Sequence, residues 1–283
     1  MQQRKGALEL GLTVATLAAL GRFVSDVPLW VVTVLAVVVA VAGTAGILGE
    51  TRPWRWPLDR VVLPGVAAFA SVGTARLLDP VPWVAFVFAG AWLVVTWAVR
   101  VEMPTVAGDE TPDAASADAA SEAPAGASDA SSDAPHARPT SARLGGFGLA
   151  FLGFAAIGGI VPGGVAGDGH PLTVAAFLAT VALDVAIGGL SGYRIAALRP
   201  HKRGYAAVAL YQYSMILAPA GVLVRVLALP RLFGPAVLTL VSYLVTSLRE
   251  SGEPVRSNRR LIEETAVLTA AGLAMVALGV VVK

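Results

Sequence analysis

The chain has 283 residues, of which 56% are hydrophobic and only 14% are charged, with a net charge of +2 and a mean hydropathy of +0.71. Soluble domains are about 25% charged, so this composition excludes an ordinary water-soluble protein. The absence of cysteine also excludes disulfides, thiolate nucleophiles and cysteine-bound metals.

The apolar residues form blocks close to the roughly 20 residues that cross a bilayer core. Because unpaired backbone groups are not tolerated in lipid, each block is expected to be a helix. The sequence thus predicts an all-α integral membrane protein, a polytopic bundle of about nine spans built from helical hairpins in the cell membrane. The predicted spans are 7–24, 29–48, 61–79, 81–99, 144–166, 172–193, 204–226, 231–248 and 265–282. The second, fourth, fifth and seventh are the clearest, because they are free of charge across about a full bilayer thickness.

The basic residues predict the orientation, because cytoplasmic loops of membrane proteins carry an excess of Lys and Arg. With nine spans and a cytoplasmic N-terminus, sixteen of the 21 basic residues lie on the cytoplasmic side. The other five, which would lie outside, are Arg22, Arg76, Arg225, Arg231 and Lys283. The C-terminus is therefore expected outside. The excess of Arg over Lys and the richness in Ala and Val are typical of a high-GC, salt-adapted prokaryote.

Three parts follow from the composition along the chain. Residues 1–103 form a four-helix membrane part, 104–142 an acidic linker rich in Ala, Ser, Asp and Pro, and 143–283 a five-helix membrane part. The linker cannot bury enough apolar surface to offset its ordering entropy, so we expect it to be disordered and cytoplasmic. It is either a solvated tether or a docking segment for a basic partner.

The first two hairpins resemble each other in sequence. Arg22, Asp26, Pro28 and Trp30 correspond to Arg76, Asp79, Pro82 and Trp83, about 53 residues later. An interface between membrane and water selects such residues independently, so duplication and convergence both explain the pattern. A duplication of two spans would give a parallel repeat.

Asp184 is the most unusual polar residue of the predicted spans. It lies about 18 Å from Leu172 along the helix, near the bilayer midplane, where an Asp costs roughly 2.5 to 3.5 kcal/mol. Its helix face also carries Thr180, Gly188 and Ser191. At a similar depth, the next span carries a polar cluster that is expected to meet Asp184, formed by Tyr211, Gln212, Tyr213 and Ser214. These groups predict either a site for an ion, a proton or a ligand, or interhelical hydrogen bonds that fix packing.

A glycine-rich stretch from 158 to 171 precedes this span. Its glycines and Pro162 fit either a broken, re-entrant helix or a helix end that frays into an outer turn. Asp168 and His170 in this stretch are a very weak metal signal, so we predict no metal and no cofactor.

The basic inner loops predict topology first and contacts with anionic lipid headgroups second. The headgroup candidates are Arg199, His201, Lys202 and Arg203. The expected partners are the bilayer and such headgroups, with no nucleic acid, and the sequence identifies no protein partner.

Three functions compete at this point. The first is a transporter or a channel-like protein for a small solute or ion, with its polar site around Asp184. The second is a non-catalytic assembly or structural subunit whose polar groups only specify packing. The third is an enzyme that processes lipids or isoprenoids, but the chain lacks paired Asp-rich motifs and any legible Ser/His/Asp arrangement, so no catalytic residue is predicted.

Overall fold

The computed structural model describes residues 2–49, 58–77, 84–103, 137–163, 173–197, 203–229, 232–251 and 270. The described part of the chain is all-helical and has no strand. Its eight helices are α1 (Gln2–Gly21), α2 (Asp26–Ile47), α3 (Leu58–Leu77), α4 (Val84–Glu102), α5 (Ala137–Ile160), α6 (Val174–Ala197), α7 (Arg203–Val226) and α8 (Phe233–Ser251).

These helices correspond to the first eight predicted segments, within a few residues at most ends. The helical class is therefore confirmed for this part of the chain. The largest difference is at α5, which begins at Ala137 and so includes residues that the composition assigned to the linker. The ninth predicted span, 265–282, lies outside the described residues except for Ala270, and so does the linker from 104 to 136.

Successive helices run in opposite directions, as their contacts show. Gln3 of α1 donates a side-chain hydrogen bond to the carbonyl of Ile47 at the end of α2. Glu102, the last residue of α4, pairs with Arg194 near the end of α6. We call the end of the bundle where α1 begins the proximal end, and the end where α1 finishes the distal end.

Four helices are long and apolar enough to cross a membrane, judged by length and composition. They are Pro28–Ile47, Val84–Glu102, Val174–Ala197 and Ala206–Val226. Only 28 to 33% of each of these segments is buried inside the protein, so most of their apolar surface faces outward. On α2, for example, Val31, Val34, Leu35 and Val38 form a stripe that is 47 to 66% exposed. Such surfaces favour a lipid environment over water.

These four helices differ from the four clearest predicted spans in one case. The sixth helix, which carries Asp184, is among them, whereas the apolar part of α5 is the shorter segment Leu144–Ile160. Helix α5 ends at Ile160 and is followed by a turn in which Gly163 has φ of +74°, a conformation that glycine adopts without strain. The remaining glycine-rich residues, 164–172, are outside the described part.

Helix α3 lies at the centre and packs against α1, α2, α4, α5 and α6. All residues from Val61 to Ala68 are buried, and small side chains such as Ala67, Ala68 and Ser71 allow the surrounding helices to come close. At the distal end, Gly73 of α3 and Gly159 of α5 bring the two backbones into contact. A Cβ at Gly73 would overlap the backbone oxygen of Ala156, and one at Gly159 would overlap the oxygen of Gly73.

Hydrogen bonds and an ion pair connect the two similar hairpins at the distal end. Arg76 Nη1 donates to Asp26 Oδ1 at 2.9 Å, so the arginine of the second hairpin pairs with the aspartate of the first. Arg22 Nη1 donates to the carbonyl of Ala75 at 3.0 Å. Asp79, Pro82 and Trp83 lie outside the described residues, so the reverse pairing is not visible.

The backbone contact at Gly73 predicts a large effect for a single methyl group. We expect Gly73→Ala to lower the free energy of unfolding by about 1 to 3 kcal/mol, because α3 and α5 must separate to accommodate it. Gly90→Ala is the matched control, since nothing lies within 4 Å of a Cβ there. Thermal or denaturant unfolding in detergent micelles measures both, and equal stability of the two variants would contradict the close contact.

Candidate functional site

Helices α6 and α7 pack in a regular antiparallel register. Gly192 faces Tyr213, Gly188 faces Leu217 and Gly221 faces Asp184, so each contact is four residues from the next on both helices. A Cβ at Gly192 or Gly188 would overlap the facing side chain. Each large residue on one helix therefore packs against a glycine on the other.

Asp184 lies at the distal step of this register and is completely buried. Its carboxylate lies against Gly221, where a Cβ would be 3.1 Å from Oδ2. Arg225, one turn further along α7, reaches back to it. The guanidinium Nη2 donates to Asp184 Oδ2 at 3.2 Å and to Oδ1 at 3.4 Å. Gly221 lets the carboxylate lie close to the α7 backbone, and a Cβ there would require it to shift by a few tenths of an ångström.

The Arg225 side chain is only 7% exposed, although Arg225 is one residue from the end of α7. Its Nε is buried and has no hydrogen-bond partner among the described residues. A buried donor without an acceptor costs about 1 to 3 kcal/mol, so the pair is incompletely satisfied. The sequence interpretation placed Arg225 at the outer end of the seventh span, near the membrane face, and no local spacing links it to Asp184, which is 41 positions earlier.

The predicted polar cluster of α7 does not form a single group around Asp184. Tyr213 is buried, and its hydroxyl hydrogen-bonds that of Thr246 on α8, which donates to the Ser242 carbonyl at 2.9 Å. Ser214 Oγ donates to the carbonyl of Leu210 within its own helix. Tyr211 and Gln212 are exposed on the outside of the bundle. Tyr213 lies two register steps, about 12 Å, from the level of Asp184.

Thr180 and Ser191 lie on the same buried face of α6 as Asp184. Thr180 is fully buried, and its hydroxyl donates to the carbonyl of Phe177 at 2.8 Å. Continuing the register by one step places Thr180 opposite Arg225. Among the headgroup candidates, Arg203 begins α7, whereas Arg199, His201 and Lys202 are outside the described residues.

A second buried ion pair joins the N-terminal and C-terminal parts of the protein at the proximal end. Arg194 Nε and Nη2 donate to the two carboxylate oxygens of Glu102, each at 2.7 Å. The Glu102 side chain is 1% exposed and the Arg194 side chain 10%. This is the bidentate geometry in which arginine binds carboxylates most strongly. Both residues fall just outside the predicted spans 81–99 and 172–193, and the sequence does not link them, because they are 92 positions apart.

Within the part of the chain that the structure describes, no three His, Cys, Asp or Glu side chains are grouped as metal ligands would be. The chain matches no known protein-family profile, no curated protein and no solved structure. The chemistry of its own buried charges is therefore the basis on which a function can be argued.

Removing one member of the proximal pair is expected to be costly. Arg194→Met removes the positive charge that compensates the buried carboxylate of Glu102 and should lower the free energy of unfolding by about 3 to 5 kcal/mol. The double variant Glu102→Gln with Arg194→Met should recover part of that loss, since no buried charge remains. Unfolding of the two single variants and the double variant in detergent gives the coupling energy, and additive effects would contradict a direct pair.

Proposed function

We propose that the chain is a multi-pass protein of the cell membrane that transports a small solute or ion, with the Asp184–Arg225 pair as its coupling site. The outward-facing apolar surfaces of the four candidate spans support insertion in a bilayer. Of the twelve Lys and Arg in the described part of the chain, nine lie towards the proximal end, which supports a cytoplasmic position for that end. The uneven distribution of basic residues along the full sequence supports nine spans in total. Asp184 and Arg225 then lie in the outer half of the membrane.

The observation that carries the proposal is the difference between the two buried ion pairs. Glu102 and Arg194 form two short hydrogen bonds, which suits a permanent structural link. Asp184 and Arg225 interact through a single nitrogen at 3.2 and 3.4 Å, and Nε is left without a partner. Buried pairs contribute little net stability, and charged residues inside a membrane mark ion and proton pathways. The weaker pair is the one that can open and close.

Protonation of Asp184 would change the net charge of the pair and so the conformation that it favours. With an ionised Asp184, the pair is neutral as a whole and is held together by its opposite charges. A proton on the carboxylate removes the attraction and leaves the positive charge of Arg225 uncompensated in a medium of low dielectric constant. Such an arrangement is unfavourable unless the helices shift or another group approaches Arg225, so protonation biases the protein towards a second conformation.

Proton flux tests the proposal directly. Vesicles containing the purified protein, in a medium with sodium, potassium, chloride and nitrate, are expected to dissipate an imposed pH gradient faster than empty vesicles. Asp184→Asn should reduce the rate to that of empty vesicles, because the side chain can no longer take up a proton. A pH-sensitive dye trapped inside the vesicles measures the rate.

Asp26→Asn is the matched control, because it removes a carboxylate from an exposed ion pair at the distal end and should leave the flux unchanged. The proposal is overturned if the wild-type protein gives no flux above empty vesicles, or if Asp184→Asn transports as fast as the wild type.

The proposed orientation can be tested by labelling, since the chain has no cysteine. Ser25→Cys lies between α1 and α2 at the distal end, and Gln3→Cys lies at the proximal end, both at exposed positions. In intact cells a membrane-impermeant maleimide should label only the cysteine at position 25. Labelling of position 3 without permeabilisation would contradict a cytoplasmic N-terminus.

A further inference from the structure

The guanidinium groups of Arg194 and Arg225 differ in how the edge formed by Nε and Nη2 is hydrogen-bonded. In Arg194, the edge formed by Nε and Nη2 is filled, because each nitrogen donates to one oxygen of the Glu102 carboxylate. In Arg225, Nη2 holds both oxygens of Asp184 at longer distances, and Nε has no partner among the described residues. Only one of the two donors on this edge of Arg225, which we call the fork, is therefore hydrogen-bonded. A planar group with two oxygens fills such a fork, as Glu102 does on Arg194.

Few charged residues lie near the Asp184–Arg225 pair. Helix α6 packs against α3, α5, α7 and α8. Residues 61–75, 144–163, 206–224 and 232–247 of these helices contain no Asp, Glu, Lys, Arg or His. Their ionisable groups are three phenols. Tyr213 hydrogen-bonds to Thr246, Tyr243 packs against Phe147 with tilted rings, and Tyr211 is exposed. The other charged residues in the described part of these helices lie near the helix ends, and Arg225 is the charge that contacts Asp184.

Because few other charges lie near the pair, its net charge determines which ion must enter the site when Asp184 takes up a proton. An ionised Asp184 and Arg225 together carry no net charge, and protonation of Asp184 leaves one positive charge. A monovalent anion on Arg225 restores neutrality, whereas a cation would increase the imbalance. The carboxylate that leaves Arg225 vacates Nη2, so Nε and Nη2 become available together.

We infer that Arg225 binds a small planar monovalent oxyanion, such as nitrate or a short monocarboxylate, in exchange for Asp184 when Asp184 takes up a proton. This inference rests on the proposed transport function and names its substrate class. One proton and one oxyanion enter the site together, and its net charge stays at zero in both states. Arg225 lies one residue from the end of α7, so the anion reaches the fork from the distal end of the bundle.

Anion binding separates this inference from a purely structural pair. We expect nitrate and formate, compared with chloride at the same ionic strength, to raise the unfolding temperature of the purified protein in acidic buffer and to have little effect in alkaline buffer. Asp184→Asn mimics the protonated carboxyl group, so this variant should respond to nitrate at both pH values. A structural ion pair would instead predict a variant that is destabilised and gains no response to nitrate.

Two further variants isolate the fork. Arg225→Lys keeps a positive charge but lacks the paired donors, so it should lose the preference for nitrate over chloride. The double variant Asp184→Asn with Arg225→Gln places no charge in the membrane and should show no nitrate response at either pH. It also provides the baseline for general salt effects on the detergent-solubilised protein.

Flux with a single anion completes the test. Vesicles with nitrate as their only anion should show a proton flux that depends on Asp184, and vesicles with chloride as their only anion should not. Equal flux with both anions, or equal stabilisation by both, overturns the oxyanion site but leaves transport intact. Nitrate binding that depends on pH, without any flux in the mixed medium, overturns the transport function but supports the site.

Discussion

Close contact between helices at glycine residues determines where the charged and polar side chains of this protein can meet. In lipid, helices gain little from the hydrophobic effect and associate through packing and hydrogen bonds. The separation between backbones therefore determines which side chains of neighbouring helices can contact each other. Gly73 and Gly159 bring α3 and α5 into backbone contact, and Gly188 and Gly192 receive large side chains of α7. Gly221 acts in the opposite direction by leaving room for Asp184. This spacing brings the Asp184 carboxylate close to α7, where Arg225 Nη2 contacts it at 3.2 Å.

The buried ion pairs connect parts of the chain that are far apart in sequence. Glu102 closes α4 just before the linker, and Arg194 lies in the second helix after it. Their bidentate contact fixes the two parts relative to each other at the proximal end, while Gly73 and Gly159 do so at the distal end. Between these two fixed points, α6 and α7 contact each other over most of their length. The Asp184–Arg225 pair therefore lies in a bundle whose two parts are in close contact at both the proximal and the distal end.

The sequence allowed the helices to be predicted well, because their length and apolarity are local properties. Asp184 also stood out from the sequence, because a carboxylate in an apolar block of that length is expensive wherever the helix packs. Its partner did not stand out. Arg225 follows an apolar block and reads as an interfacial residue, and only the antiparallel register of α6 and α7 shows that its side chain turns inward.

The cluster from Tyr211 to Ser214 illustrates the same limit. Four consecutive residues on a helix point in four directions, about 100° apart, so they cannot all face one neighbour. Only Tyr213 lies fully in the interface, and it contacts α8 through Thr246 as well as α6 through Gly192. Sequence reasoning placed these residues at the depth of Asp184, but the register puts Tyr213 about 12 Å away, and the rotation of the helix was also missing. The buried positions of α7, namely Ala206, Ala209, Tyr213, Leu217 and Val224, repeat at about 3.6 residues. Exposed positions such as Met215 and Leu223 are equally apolar, so this rotation does not stand out in the sequence.

The burial of α3 also governs the order in which the protein can assemble. A helix whose sides are covered by five others has few large apolar side chains to offer to lipid, so it depends on its neighbours to remain in place. Helices α1, α2 and α4 are synthesised close to it, but α5 emerges only after the linker has been translated. Until then, the groove around Gly73 stays uncovered. The length of the linker thus sets a delay during synthesis in which the first four helices must persist as an unfinished bundle.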